Sequence, residues 1–139
     1  MADPKQTLIK SIPLFAGLGG REIARIAQLM DEVDVPAGKV LMTQGDRGAE
    51  MFVVSSGRFS IARDGRTIAT SGPGDTIGEI ALLSEGPRTA TVTALEPAKL
   101  FVVGHREFHS LMDVSPTIRV HMFDELARRL RGLAPDAVY

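Results

Sequence analysis

Short apolar segments recur roughly every ten residues through the middle of the chain, and each one is closed by Gly, Pro or Asp. Several of them alternate apolar with polar residues, which is the two-residue period of a β-strand. The dipeptide Asp64-Gly65 separates two such segments and is a strong signal for a tight hairpin. Short strands at this spacing are typical of an all-β sandwich or barrel. The pattern therefore predicts an all-β sandwich or barrel over residues 32–103, which we call the roll.

Helical periodicity flanks this region on both sides. Apolar residues repeat at intervals of three and four near each end of the chain, which predicts amphipathic helices. Ser115 and Pro116 are favourable as N-cap and first residue of a last helix, and Gly132 with Pro135 is expected to end it. The chain is thus predicted to be one mainly β domain of about eight strands. Its expected parts are N-terminal helices at 1–31, the roll at 32–103, two C-terminal helices at 104–132 and a loose tail at 133–139.

Residues 77–92 contain the best candidate for a binding site. Gly78 has no Cβ and lets the backbone approach a ligand closely. The N–H groups that open the helical segment after it are unpaired and attract an anion. Arg88 offers a planar fork of donors that suits phosphate oxygens, and Thr89 adds a hydroxyl. This half of the pattern predicts a phosphate site.

The same stretch carries an acid, Glu79, which would repel a phosphate unless its carboxylate accepts hydrogen bonds from another group. A sugar hydroxyl is the natural donor, so the residues together predict a sugar phosphate with a free hydroxyl. Judged alone, Glu79 and Arg88 could each be solvated surface residues. Their joint occurrence in one compound pattern favours a binding site. Gly86-Pro87 is predicted to form a turn, followed by a strand from Arg88 to Leu95.

The order of these residues resembles the phosphate-binding cassette of the cyclic nucleotide-binding domain family. An apolar residue precedes Gly-Glu, an Ala stands two further on, and Arg-Thr-Ala leads into the alternating Val92 and Ala94. Turn glycines extend the resemblance from about Pro36 to Val103. In that family the Glu binds the ribose 2′-hydroxyl, the Arg binds the cyclic phosphate, and the amides after the Glu also face the phosphate. The resemblance assigns the ligand site to Gly78, Glu79, Ile80, Ala81 and Arg88, with Thr89 and Ala90 on its rim.

The resemblance implies a jelly-roll, or double-stranded β-helix, with a short cassette helix, acting as a sensor or regulatory domain. Its expected ligand is a cyclic purine nucleotide, with cAMP preferred, and Thr89 leaves the choice between cAMP and cGMP open. The last helix is expected to close over the base. Its apolar face fits a lid, a dimer seam or a core edge, so a second copy or an effector protein is the expected partner. The lid residues implied are Met122, Phe123, Leu126 and Arg129.

Other classes of function have weaker support. A formal charge of −1 gives no general attraction to nucleic acid or to an anionic membrane, and the chain has no cysteine. His105 and His109 stand four apart, but no third metal ligand is evident near them. No grouping of nucleophile and base predicts catalysis. We therefore expect a cytoplasmic binding domain without metal, cofactor or enzymatic activity. The competing hypothesis is an interaction domain that keeps the roll without binding nucleotide.

Overall fold

The computed structural model describes residues 3–133. The N-terminal part of this range is helical, as the periodicity predicts. Asp3 caps the first helix, because its side chain accepts a hydrogen bond from the amide of Lys5 at 2.9 Å. Pro13 lacks an N–H and starts a separate 3-10 turn instead of continuing that helix. The three elements are α1 at Pro4–Lys10, the 3-10 turn at Pro13–Phe15 and α2 at Gly20–Leu29.

Ten strands occur in the described residues, and all of their pairings are antiparallel. They are β1 Asp31–Val35, β2 Val40–Met42, β3 Arg47–Gly48, β4 Glu50–Ser56, β5 Phe59–Arg63, β6 Arg66–Ser71, β7 Thr76–Ile77, β8 Gly86–Pro87, β9 Thr91–Ala94 and β10 Ala98–Gly104. Two four-stranded sheets have the orders β1-β10-β4-β7 and β2-β9-β5-β6, and β3 pairs with β8. The remaining helices are α3 Ile80–Leu83, α4 His105–Val114 and α5 Pro116–Leu133.

Strand β4 separates two hydrophobic cores. Its side chains alternate between them: Phe52 and Val54 pack with the interior of the roll, whereas Met51 and Val53 pack with the helices. A strand buried on both faces needs a continuous apolar run, which is why residues 51–54 lack the alternation seen elsewhere. The second core also takes in Leu82 of α3, so the short helix is fixed to the helical layer.

The hairpin between β5 and β6 has the turn that its sequence predicts. Asp64 and Gly65 both have positive φ, 53° and 79°, the backbone that a two-residue hairpin of this type requires. Gln44 holds the tip: its Nε2 donates to Asp64 Oδ1 at 2.9 Å, and its Oε1 accepts from the Asp64 amide at 2.8 Å. The tip is thereby tied to the loop that follows β2.

Three boundaries differ from the expectations. The predicted strand from Arg88 begins only at Thr91, because Arg88 exchanges backbone hydrogen bonds with the loop at 45–46, as Gly45 N to Arg88 O and Arg88 N to Asp46 O. The predicted turn at Gly86-Pro87 is instead the short strand β8, paired with β3. Helix α5 passes through Gly132 and is described to Leu133. Within residues 3–133 no helix combines the length and the hydrophobicity that crossing a membrane requires.

Candidate functional site

A cavity of about 450 Å³ opens beside the segment that sequence analysis selected. We call it the cassette recess. Residues 78–89 form most of its wall, and strands β2, β3 and β7 complete it. Five of the seven residues predicted to bind ligand line this cavity. Ala90 does not, and the side chain of Ile80 lies outside the described part of the chain. The lining residues are Met42, Gly48, Thr76, Gly78, Glu79, Ala81, Ser84, Glu85, Gly86, Pro87, Arg88 and Thr89.

Arg88 lies in a slot that two glycines leave open. A Cβ built on Gly48 would stand 1.8 Å from Arg88 Nε, and one built on Gly78 would stand 2.6 Å from Nη1. Nη1 donates to the carbonyl oxygen of Glu50 at 2.8 Å, and Cζ is 5.8 Å from the centre of the Phe52 ring. The guanidinium is therefore held by the Glu50 carbonyl, by the Phe52 ring and by the close fit against the two glycines.

This setting also changes the electrostatics of Arg88. Burial lowers the pKa of its guanidinium, because the charged form loses contact with water, and the nearby charge of Glu50 raises the pKa by a smaller amount. A cation that has lost part of its hydration gains strongly from an anion placed against it. The recess therefore offers a fixed positive charge, and an anionic ligand bound there would stabilise it.

Glu79 faces the same recess and is partly buried. The hydroxyl of Thr76 donates to Glu79 Oε2 at 3.1 Å, and the Glu79 carbonyl accepts from the amide of Leu82 at 3.1 Å. Both ends of the residue are thus held, one by strand β7 and the other by helix α3. The recess therefore combines a fixed carboxylate, that of Glu79, with a fixed guanidinium, that of Arg88.

The remaining cassette residues occupy different settings. The amide of Ala81 donates to the carbonyl of Gly78 at 3.0 Å, so it closes the first turn of α3. Ile80 begins that helix. Thr89 is exposed at the rim, and its carbonyl accepts from Arg63 Nε at 3.0 Å. Ala90 is buried behind the rim. The expected amide contacts to phosphate stay a prediction, and that of Ala81 would compete with the bond to Gly78.

The implied lid residues lie elsewhere. Met122 is buried in the helical core, whereas Phe123 is 66% exposed and Leu126 is 37% exposed. All three line a second cavity of about 240 Å³ between α4 and α5, which we call the helical groove. None of these three lines the cassette recess. The side chain of Arg129 falls outside the described part of the chain. The lid assignment therefore stays a prediction.

Two histidines have a role that sequence reasoning missed. His105 Nδ1 lies 2.8 Å from the carbonyl oxygen of Ala81, and His109 Nε2 lies 3.0 Å from that of Leu82. The spacing of four was visible in the sequence, but it does not reveal the partner. In residues 3–133 no cluster of three or more His, Cys, Asp or Glu side chains could hold a metal ion. Gly48, Glu50 and Thr76 are further site residues that lie outside the cassette sequence.

Comparison with known proteins agrees with this geometry. A family model described as the cyclic nucleotide-binding domain matches residues 32–115. The Cyclic AMP receptor protein of Thermus thermophilus is 34% identical over 128 residues, which cover 88% of this chain and 59% of that protein. The chain thus spans little more than half of that relative.

Solved structures agree as well. The N-terminal domain of a transcriptional regulator from Streptomyces coelicolor A3(2) matches with a TM-score of 0.86 and 34% identity, over 95% of this chain and 96% of that chain. The regulatory domain of Toxoplasma gondii PKA, co-crystallised with cAMP, matches with a TM-score of 0.73 and 31% identity, over 77% of this chain and 42% of that chain. The predicted jelly-roll with flanking helices is confirmed.

Proposed function

Because the chain belongs to the cyclic nucleotide-binding domain family, we propose that the cassette recess binds a cyclic purine nucleotide, with cAMP preferred. The observation that carries this proposal is the setting of Arg88. Its guanidinium is partly desolvated, fixed between Gly48 and Gly78, and faces the same recess as Glu79. A positive group and an acid held in one small cavity suit a ligand that has both a phosphate and a hydroxyl.

The proposed roles follow from charge and hydrogen-bonding capacity. Arg88 neutralises the cyclic phosphate, and the amides at the start of α3 together with that of Ala90 add hydrogen bonds to its oxygens. Glu79 accepts a hydrogen bond from the ribose hydroxyl. The volume of about 450 Å³ falls in the range of small-molecule sites, roughly 300–1,000 Å³. The chain is proposed to bind this ligand without chemical change.

The preference for cAMP rests on similarity to other proteins. One relative is named as a cyclic AMP receptor, and the Toxoplasma regulatory domain was crystallised with cAMP. Thr89 stands exposed at the rim, where its hydroxyl could also meet a guanine amino group. Competition between cAMP and cGMP for the same protein measures the preference directly.

Helix α5 is proposed to convert binding into a signal. Its exposed face carries Val120, Phe123 and Leu126, which are 57%, 66% and 37% exposed. A second copy of the chain or an effector protein would cover this face, and a movement of α5 would bring lid residues to the base. Nucleotide shifts such an equilibrium only by its difference in affinity between the two states. The chain is thus proposed to act as a sensor domain.

Titration calorimetry with cAMP and cGMP tests the proposal. A hydrogen bond to a charged group contributes about 1.5–3 kcal/mol, so Arg88→Ala should weaken binding by about one to two orders of magnitude. Arg66→Ala is the matched control, since Arg66 is an exposed arginine in strand β6 and is not part of the recess. Equal affinity of Arg88→Ala and the wild type would refute the assignment of Arg88. Absence of binding to either nucleotide at millimolar concentration would favour an interaction domain.

A further inference from the structure

The cassette helix α3 is only four residues long, and its last carbonyl groups meet two histidines of α4. The final carbonyls of any helix lack partners within that helix. Side chains of His can supply the missing donors. Here His105 reaches the carbonyl of Ala81 and His109 reaches that of Leu82, at 2.8 Å and 3.0 Å.

The geometry of the pair fixes which nitrogen donates. His105 and His109 are one turn apart on α4, so they project from the same face. Their ring centres are 4.1 Å apart, and the rings are tilted by 31°. A carbonyl oxygen can only accept, so Nδ1 of His105 and Nε2 of His109 must each carry a hydrogen. The two rings therefore hold one peptide segment at two consecutive carbonyls.

The two histidines contact parts of the molecule that belong to different cavities. Ala81 lines the cassette recess, and its carbonyl is the one bound by His105. His109 lines the helical groove, where its neighbours include Phe123 of α5. The two histidine contacts therefore lie between the cassette recess and the helical groove.

We propose that His105 and His109 are positioning residues that clamp α3 to α4 and thereby set the recess for ligand. This inference rests on the proposed nucleotide-binding function. Leu82 also packs in the helical core and fixes α3 without polar contacts. The test must therefore separate the hydrogen bonds from the packing.

Paired substitutions make that separation. His105→Phe with His109→Phe keeps two stacked rings and removes both donors. His105→Asn with His109→Gln restores a donor near the place of each bonding nitrogen, because the Asn amide mimics Nδ1 and the Gln amide mimics Nε2. Melting temperatures of both variants show whether the fold is intact.

Two readouts apply to each protein. Hydrogen exchange of residues 77–84 without nucleotide should be about tenfold faster in the Phe pair and should return toward the wild-type rate in the Asn/Gln pair. Affinity for cAMP should fall about three- to tenfold in the Phe pair and recover in the Asn/Gln pair.

Each outcome decides a separate point. Unchanged exchange of residues 77–84 in the Phe pair would overturn the clamp. Faster exchange with unchanged cAMP affinity would overturn its positioning role and leave a purely structural contact. If the wild type binds neither cAMP nor cGMP, the proposed function fails, and the positioning role fails with it. The clamp itself is then still decided by the exchange rates in nucleotide-free protein.

Discussion

The cassette recess and the helical groove differ in the groups that they offer to a partner. In the recess, hydrogen bonds fix the charged side chains. Arg88 donates to the carbonyl oxygen of Glu50, and Glu79 accepts from the hydroxyl of Thr76. The groove is apolar along most of its wall, and Phe123 at its edge is 66% exposed. Polar groups fixed in advance suit a small ligand, because little ordering remains to be done on binding. An exposed apolar face gains free energy only when a larger surface covers it.

The largest effect on ligand affinity is expected when the slot that holds Arg88 is filled. Gly48→Ala places a Cβ where Arg88 Nε now lies, so the guanidinium must move, and cAMP affinity should fall about thirtyfold. Stability should change little, because the displaced atoms are the end of a flexible side chain and Gly48 does not have positive φ. Calorimetry and thermal melting measure the two effects.

Gly86→Ala is the matched control for this change. Gly86 lines the same recess, has no atom within 4 Å of an added Cβ, and lacks positive φ. Its affinity for cAMP should stay within about twofold of the wild type. Equal losses in the two variants would mean that the recess tolerates no added methyl, and that the slot has no special role.

The acid of the recess is tested with a modified ligand. Glu79→Gln keeps an oxygen that can accept from Thr76 but removes the charge, and cAMP affinity should fall about tenfold. The same substitution should change affinity for 2′-deoxy-cAMP by less than about twofold, because that ligand lacks the hydroxyl that Glu79 would bind. Glu85→Gln, an exposed acid of the same wall, is the control. Equal losses with both ligands would contradict the ribose role.

The groove should respond in the opposite way. Phe123→Ser removes an exposed aromatic ring, so self-association measured by sedimentation should weaken about tenfold, while cAMP affinity should fall only about threefold. Val114→Ser is the control, since Val114 is 71% exposed but lies outside the groove. An unchanged association constant for Phe123→Ser would exclude this face as the contact between copies.

The smallest effect concerns the unliganded protein. Burial lowers the pKa of Arg88, and a base with a lowered folded-state pKa reduces stability at every pH below that value, where the charged form dominates. Arg88→Met should therefore melt within about 3 °C of the wild type without nucleotide, with a difference that stays flat from about pH 5 to about pH 8. A decrease of more than about 5 °C would show that Arg88 stabilises the fold itself.

The sequence predicted the recess better than the groove, for physical reasons. Glu79 and Arg88 lie nine residues apart in one stretch, so local order and chemistry were enough to identify them. Gly48 is remote in sequence, and only the pairing of β3 with β8 brings it against Arg88. Strand positions followed from the two-residue period and from turn residues such as Asp64-Gly65.

Helical spacing was less informative. It identified the apolar residues of α5 but not which of them contact the core, and Met122 is buried there while Phe123 is exposed. The spacing of His105 and His109 placed them on one helix face, and the lack of a third ligand argued against a metal site. Their carbonyl partners depend on where α3 packs, which is a property of the tertiary structure.

The two sides of the cassette recess should differ in how often they open, because one of them rests on strand β4. Because it lies between two hydrophobic cores, it should be among the last segments to open when the protein fluctuates, and it carries both Glu50 and Phe52, which hold Arg88. Helix α3 is a single turn, held by Leu82 and by the two histidines, and should open more often than β4. Momentary openings would thus release the Glu79 side of the site while the arginine stays in place. A departing nucleotide would then leave in two stages, with its sugar freed before its phosphate.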